Sequence, residues 1–171
     1  MNEPNAQHAR TAPLIRQPTR EDGAAVWQLV GDTGGLEQNS AYAYLLLCTH
    51  FRDTCVVVER EGELVGCVLA YRPPTTPDCV FVWQVGVAPT ARGRGLAGDM
   101  LDAVMQLPAC RNARFLTASV APGNRASRAL FAAFARRYGV QMEEQEFLAA
   151  DCFPNAHEAE PLLKIGPLPG R

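Results

Sequence analysis

The sequence predicts an α/β fold of the mixed α+β kind: one central sheet, mostly antiparallel, with a single parallel β-α-β crossover. Three observations carry this. Apolar residues alternate with period two in several short runs and recur at helical spacing in others, in the order β-α-α-β-β-β-α-β-α-β-β. The strand-helix-strand unit over about 79–120 reads as a right-handed parallel connection within one sheet. The 171 residues are 47% apolar, enough for one compact core.

Each element has its own local signal. Residues 1–12 are polar and contain proline, so they read as a disordered lead-in to one domain over 13–171. "LIRQP" (14–18) is a short strand. "TREDGAAVWQLV" is a helix with Thr19 as N-cap, acids in its first turn, and Ala25, Val26, Leu29 and Val30 on one face. "GDTGGLEQNS" (31–40) is a loop, and Asn39 or Ser40 caps the next helix, "AYAYLLLCTHF". "TCVVVER" and "ELVGCVLAYR" flank "EG" and form a tight hairpin. "DCVFVWQVGVAP" is the third strand of that group, followed by a glycine-arginine turn and a helix to about Leu107. "RFLTASV" (114–120) is a strand, and the helix "APGNRASRALFAAFARRYG" ends at Gly139 as C-cap. "VQMEEQEFLA" and "PLLKIGPL" are the last strands; alternation puts Glu144 and Glu146 on one face and Glu143 on the other.

Composition excludes several functions. A net charge of −2 and a pI near 5.9 call for no nucleic-acid or anionic-membrane partner. No apolar run approaches the ~20 residues of a membrane helix. The start has no apolar signal core, so a cytoplasmic location is expected. Cys48, Cys55, Cys67, Cys79, Cys110 and Cys152 form no CxxC pair and read as free, mostly buried thiols. With three dispersed histidines, no metal site is expected.

The chemistry concentrates in "QVGVAPTARGRGLAGDML" (84–101). A strand, a turn dense in Arg and Gly, and a helix N-terminus together make an anion site: unpaired amides and the helix dipole face the ligand, and glycine lets it approach. "GRGLAG" satisfies the dinucleotide pattern GxGxxG, but "APTAR" separates it from its strand and the next strand ends in Ser119 and Val120, without the expected acid. No GK[ST] follows, so it is not a P-loop.

The turn also satisfies R-x-x-G-x-A through Arg92, Gly95 and Ala97, and Asn124 opens the helix after the next strand. Here the chain resembles the GNAT family of acetyl-CoA-dependent N-acetyltransferases, over about residues 14–150. The resemblance implies that family's fold, with splayed strands forming a coenzyme cleft, and acetyl-CoA as co-substrate. It assigns the pyrophosphate to Arg92, Gly93, Arg94, Gly95, Leu96 and Ala97 through backbone amides, and the pantetheine arm to the strand carrying Val85, Gly86 and Val87. Gly86 is the expected bulge, Val87 N–H the expected oxyanion donor, and Asn124 and Ser127 contact the coenzyme arm. Where many members carry Tyr as general acid, "NRASRALF" has Phe131, so another Tyr or water must protonate the leaving thiolate. The family often forms homodimers.

A longer likeness, in residues 32–59, Trp83 and "NAHE", resembles the family's L-2,4-diaminobutyrate acetyltransferases, which act in ectoine biosynthesis. It implies a small substrate with two ammonium groups and one carboxylate, acetylated on the γ-nitrogen. Asp32, Glu37, Asn39, Ser40, Tyr42 and Trp83 are the candidate substrate residues, with one of Tyr42 and Tyr44 expected to face the pocket. Direct attack in a ternary complex needs a proton acceptor; Glu158 and His157 are the first candidates, then Glu37 or Asp32. Four alternatives stay open: another amine as substrate, a covalent route through Cys48 or Cys55, a non-catalytic acetyl-CoA sensor, and a nucleotide-binding module.

Overall fold

In the computed structural model, which describes residues 12–169, every predicted element forms and in the predicted order. The expected lead-in lies, but for Ala12, outside the described residues. The strands are β1 (Leu14–Arg16), β2 (Val56–Arg60), β3 (Glu63–Tyr71), β4 (Cys79–Val87), β5 (Phe115–Ser119), β6 (Gln141–Leu148) and β7 (Glu160–Gly166). They form one sheet in the order β1-β2-β3-β4-β5-β7-β6, in which only β4 and β5 run parallel. The β2–β3 hairpin turns on Glu61 and Gly62 at φ 55° and 82°, the positive pair a two-residue turn demands.

Alternation along the strands divides the core into two layers. Val56 and Val58 face the layer of α3 (Leu96–Gln106) and α4 (Arg125–Tyr138), whereas Val57, Cys67 and Leu69 face α1 (Gly23–Asp32) and α2 (Ala41–His50). Thr19 starts a single 3-10 turn rather than α1 itself: its N–H donates to Asp22, which Arg16 holds at 2.7 Å. That guanidinium pulls the Asp22 carboxyl below its usual range. On α1, Gly23 is buried in place of the predicted Ala25, because a Cβ there would lie 2.7 Å from Leu45 of α2. Gly139 closes α4 in the left-handed conformation at φ 64°, as expected. Glu143, Glu144 and Glu146 are all exposed, and Glu144 pairs with Arg128.

The cysteines are free thiols, five buried and Cys152 exposed. Burial pushes Cys55 up to about 11 and Cys67 up to about 12 from an ordinary 9.0. A folded state that resists ionisation keeps this stability below about pH 9 and loses it as pH rises through the folded values. Each such thiol contributes a slope of about 1.4 kcal/mol per pH unit in that window. The melting temperature is therefore expected to fall progressively from pH 9 to 11, and Cys67→Ala to flatten the fall; a melting temperature constant over that range would contradict this.

Candidate active site

The site is built by the way β4 leaves β5. The two pair only over Cys79–Phe81 and Phe115–Thr117, yet β4 runs on to Val87 and β5 to Ser119. Beyond that point the strands splay and one edge of β4 is unpaired. A bulge sets which side chains face each layer. Gln84 pairs with Leu69 and Val82 with Ala70, so Trp83 is the extra residue. Before it the even positions Val80 and Val82 face the α3–α4 layer; after it the odd positions Val85 and Val87 do. The bulge is at Trp83, not at the expected Gly86, which pairs regularly with Cys67. Gly86 is glycine for another reason: a Cβ there would lie 3.1 Å from Cys67 Sγ and 3.5 Å from Thr33 Cγ2.

The free edge has a definite polarity. Ala88 N–H bonds to Val65 O on β3, and Gly86 is two residues back in the same register. Hydrogen-bonding direction alternates along a strand, so the N–H groups of Val85 and Val87 turn into the splay.

Three contiguous cavities of about 530, 460 and 200 Å³ follow that edge. The smallest lies at the glycine-arginine turn, lined by Val87, Arg92, Gly93, Gly95, Leu96 and Ala97. Gly93 and Gly95 take φ 75° and 77°, and Gly95 is the N-cap of α3. The amides of residues 93–98 have no acceptor among the described residues, so the turn presents a row of free donors at a positive helix end. The Arg92 guanidinium uses Nε on Val87 O at 3.2 Å and Nη2 on Thr33 O at 2.6 Å, and the residue lines both the middle and the turn cavity. Arg94 lines a separate cavity with Arg60 and Asp99.

The middle cavity joins Val85, Val87 and Arg92 to Asn124, Ser127 and the Thr33–Leu36 loop. Asn124 Oδ1 caps α4 by accepting from Ser127 N–H, 3.1 Å.

The largest cavity is lined by Glu37, Asn39, Trp83, Ser119, His157 and Glu160, with Tyr71, Phe81, Phe131 and Phe147 as apolar walls. Ser119 Oγ donates to Glu160 Oε2 at 2.6 Å, and His157 Nε2 lies 3.9 Å from Glu160 Oε1. The His157 ring stacks on Phe153 at 3.9 Å, and its Nδ1 lies 2.6 Å from Glu158 O. A carbonyl only accepts, so that geometry puts a proton on Nδ1 and turns Nε2 toward Glu160. Burial raises the Tyr71 phenol.

The structure brings together Glu37, Asn39, Trp83 and His157 of the sequence candidates, and leaves others outside. Glu158 points instead to the loop before α4, where its carboxylate accepts from Gly123 N–H at 3.2 Å. Asp32 accepts from Gln28 on the outer side of α1, and Ser40 is the N-cap of α2; neither lines the cleft. Tyr42 is 67% exposed, whereas Tyr44 is fully buried, tilted against Trp83 and accepting from Asn39 N–H. Neither tyrosine lines the cavity. Glu160, Ser119 and Gln84 are members that sequence reasoning missed. The signal for Glu160 was an acid two residues past Glu158, at the mouth of the last strand. Cys48 and Cys55 are buried, with thiols raised to about 12 and about 11, and neither lines the cleft. Among the described residues no group of His, Cys, Asp and Glu is placed to hold a metal, and no helix is long and apolar enough to cross a membrane.

This geometry has counterparts. Residues 24–135 match the family model described as acetyltransferase (GNAT) family. The L-2,4-diaminobutyric acid acetyltransferase of Halalkalibacterium halodurans is 45% identical, over 92% of this chain and 84% of that one. The enzyme of the same name from Bordetella parapertussis is 47% identical, over 90% and 83%. Among solved structures, the diaminobutyrate acetyltransferase EctA from Paenibacillus lautus, in complex with L-2,4-diaminobutyric acid and coenzyme A, superposes with a TM-score of 0.88. That pair is 43% identical over 92% of this chain and 96% of the other.

Proposed function

The chain belongs to the acetyltransferase (GNAT) family, and we propose that it transfers the acetyl group of acetyl-CoA to the γ-amino group of L-2,4-diaminobutyrate. The product, N-γ-acetyl-L-2,4-diaminobutyrate, serves ectoine biosynthesis. The observation that carries this reading is one unpaired strand edge joining a row of free amides to an acid-lined cavity. The similarity to named diaminobutyrate acetyltransferases supports the choice of amine.

The coenzyme pyrophosphate sits on the amides from Gly93 to Ala97, and its pantetheine arm runs along the free edge past Asn124 and Ser127. Val85 and Val87 both aim an N–H at this path. Val85 lines both the amine cavity and the middle one, whereas Val87 lines the middle and turn cavities. Val85, rather than Val87, is therefore the oxyanion donor, and Val87 holds the arm.

The amine cavity receives a diamino acid. Glu37 and Glu160 meet the ammonium groups, and the Trp83 face walls the chain. The γ-ammonium gives a proton to Glu160, whose Oε1 lies 3.9 Å from His157 Nε2. The free amine attacks the thioester carbon, forming C–N; the oxyanion collapses, C–S breaks, and the second proton of the nitrogen passes to solvent water. With Phe131 carrying no proton to give, and Tyr71 on the amine side, the departing thiolate takes its proton from solvent.

The enzyme works in the cytoplasm as a homodimer. Exposed Tyr42 and Leu45 on α2 and Phe51 at its C-cap support self-association, and light scattering at twice the 18.6 kDa chain mass tests it. The substrate reading is tested by coenzyme A release with diaminobutyrate, ornithine, lysine, spermidine and a short peptide. A kcat/KM for diaminobutyrate at least about tenfold above every other amine is expected, the worth of one well-placed contact; a better alternative amine overturns it.

A further inference from the structure

One buried side chain joins the coenzyme strand to the wall of the amine cavity. Gln84 Nε2 donates to Glu37 O at 2.8 Å. Because a carbonyl only accepts, this bond fixes which end of the amide points where. The other end, Oε1, is the one buried side-chain polar atom without a hydrogen-bond partner among the described residues, and the residue is 7% exposed. Leaving a buried acceptor unpaired is unfavourable, so this amide is held against a cost that an apolar residue of the same size would avoid.

The bulge explains how Gln84 comes to stand there. With Trp83 as the extra residue, Trp83 and Gln84 stand side by side toward the α1–α2 layer instead of on opposite faces. Trp83 packs on Tyr44, and Gln84 is left to reach the loop. The ends of that loop have other anchors. Arg92 holds Thr33 O, Trp27 Nε1 holds Asn39 O, and Gln38 reaches Trp27 O. Between Gly34 and Glu37 the bond from Gln84 is the only hydrogen bond among the described residues.

We propose that Gln84 is a positioning residue, acting through Glu37: its amide N–H sets the loop wall of the amine cavity against the strand that carries the coenzyme. The inference rests on the diaminobutyrate reading for its kinetic readout. Gln84→Met keeps the volume and loses both amide ends. Gln84→Leu also loses both ends, in a branched side chain of similar size. Both variants are expected to raise the diaminobutyrate KM by about tenfold, the size of one lost hydrogen bond in a binding wall. The acetyl-CoA KM is expected to stay within about twofold of wild type, which also reports that the fold is intact. Amide hydrogen exchange over residues 34–37 is expected to quicken in both variants while α3 keeps its protection. A wild-type KM in Gln84→Met, or a parallel rise of both KM values, would overturn the proposal. Wild-type protein inert toward diaminobutyrate would count against the substrate reading alone. The exchange comparison then decides on Gln84, with unchanged loop exchange overturning it.

Discussion

Glu160→Gln lowers kcat by roughly a hundredfold or more, the range of a lost proton acceptor, with the acetyl-CoA KM nearly unchanged. Glu160 opens β7 across from Leu148, and this anchorage places its carboxylate in the amine cavity. One oxygen accepts from Ser119 Oγ at 2.6 Å, which leaves the other, 3.9 Å from His157 Nε2, to meet an ammonium. Glutamine is nearly isosteric and can still accept from Ser119, but it takes no proton from the amine. The loss should therefore appear in kcat rather than in the fold or in coenzyme binding. Glu158→Gln supplies the contrast. That carboxylate is bonded to Gly123 N–H outside the cavity, so its loss is expected to change kcat by only a few-fold. Steady-state kinetics of the two variants decide between them. A Glu160→Gln enzyme within a few-fold of wild type, with Glu158→Gln or a His157 variant inactive, would move the proton acceptor elsewhere.

Gly95→Val raises the acetyl-CoA KM by about tenfold or more. The φ of 77° at the α3 N-cap is left-handed backbone, which costs a β-branched residue roughly 1–2 kcal/mol or more. Nothing lies within 4 Å of a Cβ at Gly95, so crowding is not the cause. The strain relaxes by rotating the turn, and rotation takes the amides of residues 93–97 off their common target. The diaminobutyrate KM is expected to change little, because that cavity lies at the other end of the free edge. An unchanged acetyl-CoA KM would show that the amide row does not hold the pyrophosphate.

The elements were legible because their signals are local. The "EG" turn, the Gly139 cap and the period-two strands depend on a few neighbouring residues, and all appear as read. The glycine-arginine turn was legible for the same reason. What the sequence hid depends on partners far along the chain. The bulge is fixed by register against β3, so "WQVGV" alone suggested Gly86 and the structure has Trp83. Gly86 answers instead to Cys67 and Thr33. Arg92 was assigned to the pyrophosphate through its backbone amide; that amide bonds Pro89 O, and the guanidinium bonds two more carbonyls, one of them 59 residues away. Helical spacing could not say how α2 is rotated about its axis; packing against Trp83 buries Tyr44 and leaves Tyr42 in solvent. Glu158 and Glu160 were separable only by knowing where the loop ends and β7 begins.

On the proposed mechanism, the cleft delivers the thioester to one nitrogen of one diamino acid. The most direct test is NMR analysis of the product formed from diaminobutyrate and acetyl-CoA carrying a carbon-13 label in its acetyl carbonyl. Acetyl on the γ-nitrogen alone, with one coenzyme A released per product, is the predicted result. Acetylation at the α-nitrogen, a mixture of the two, or no labelled amide would contradict it.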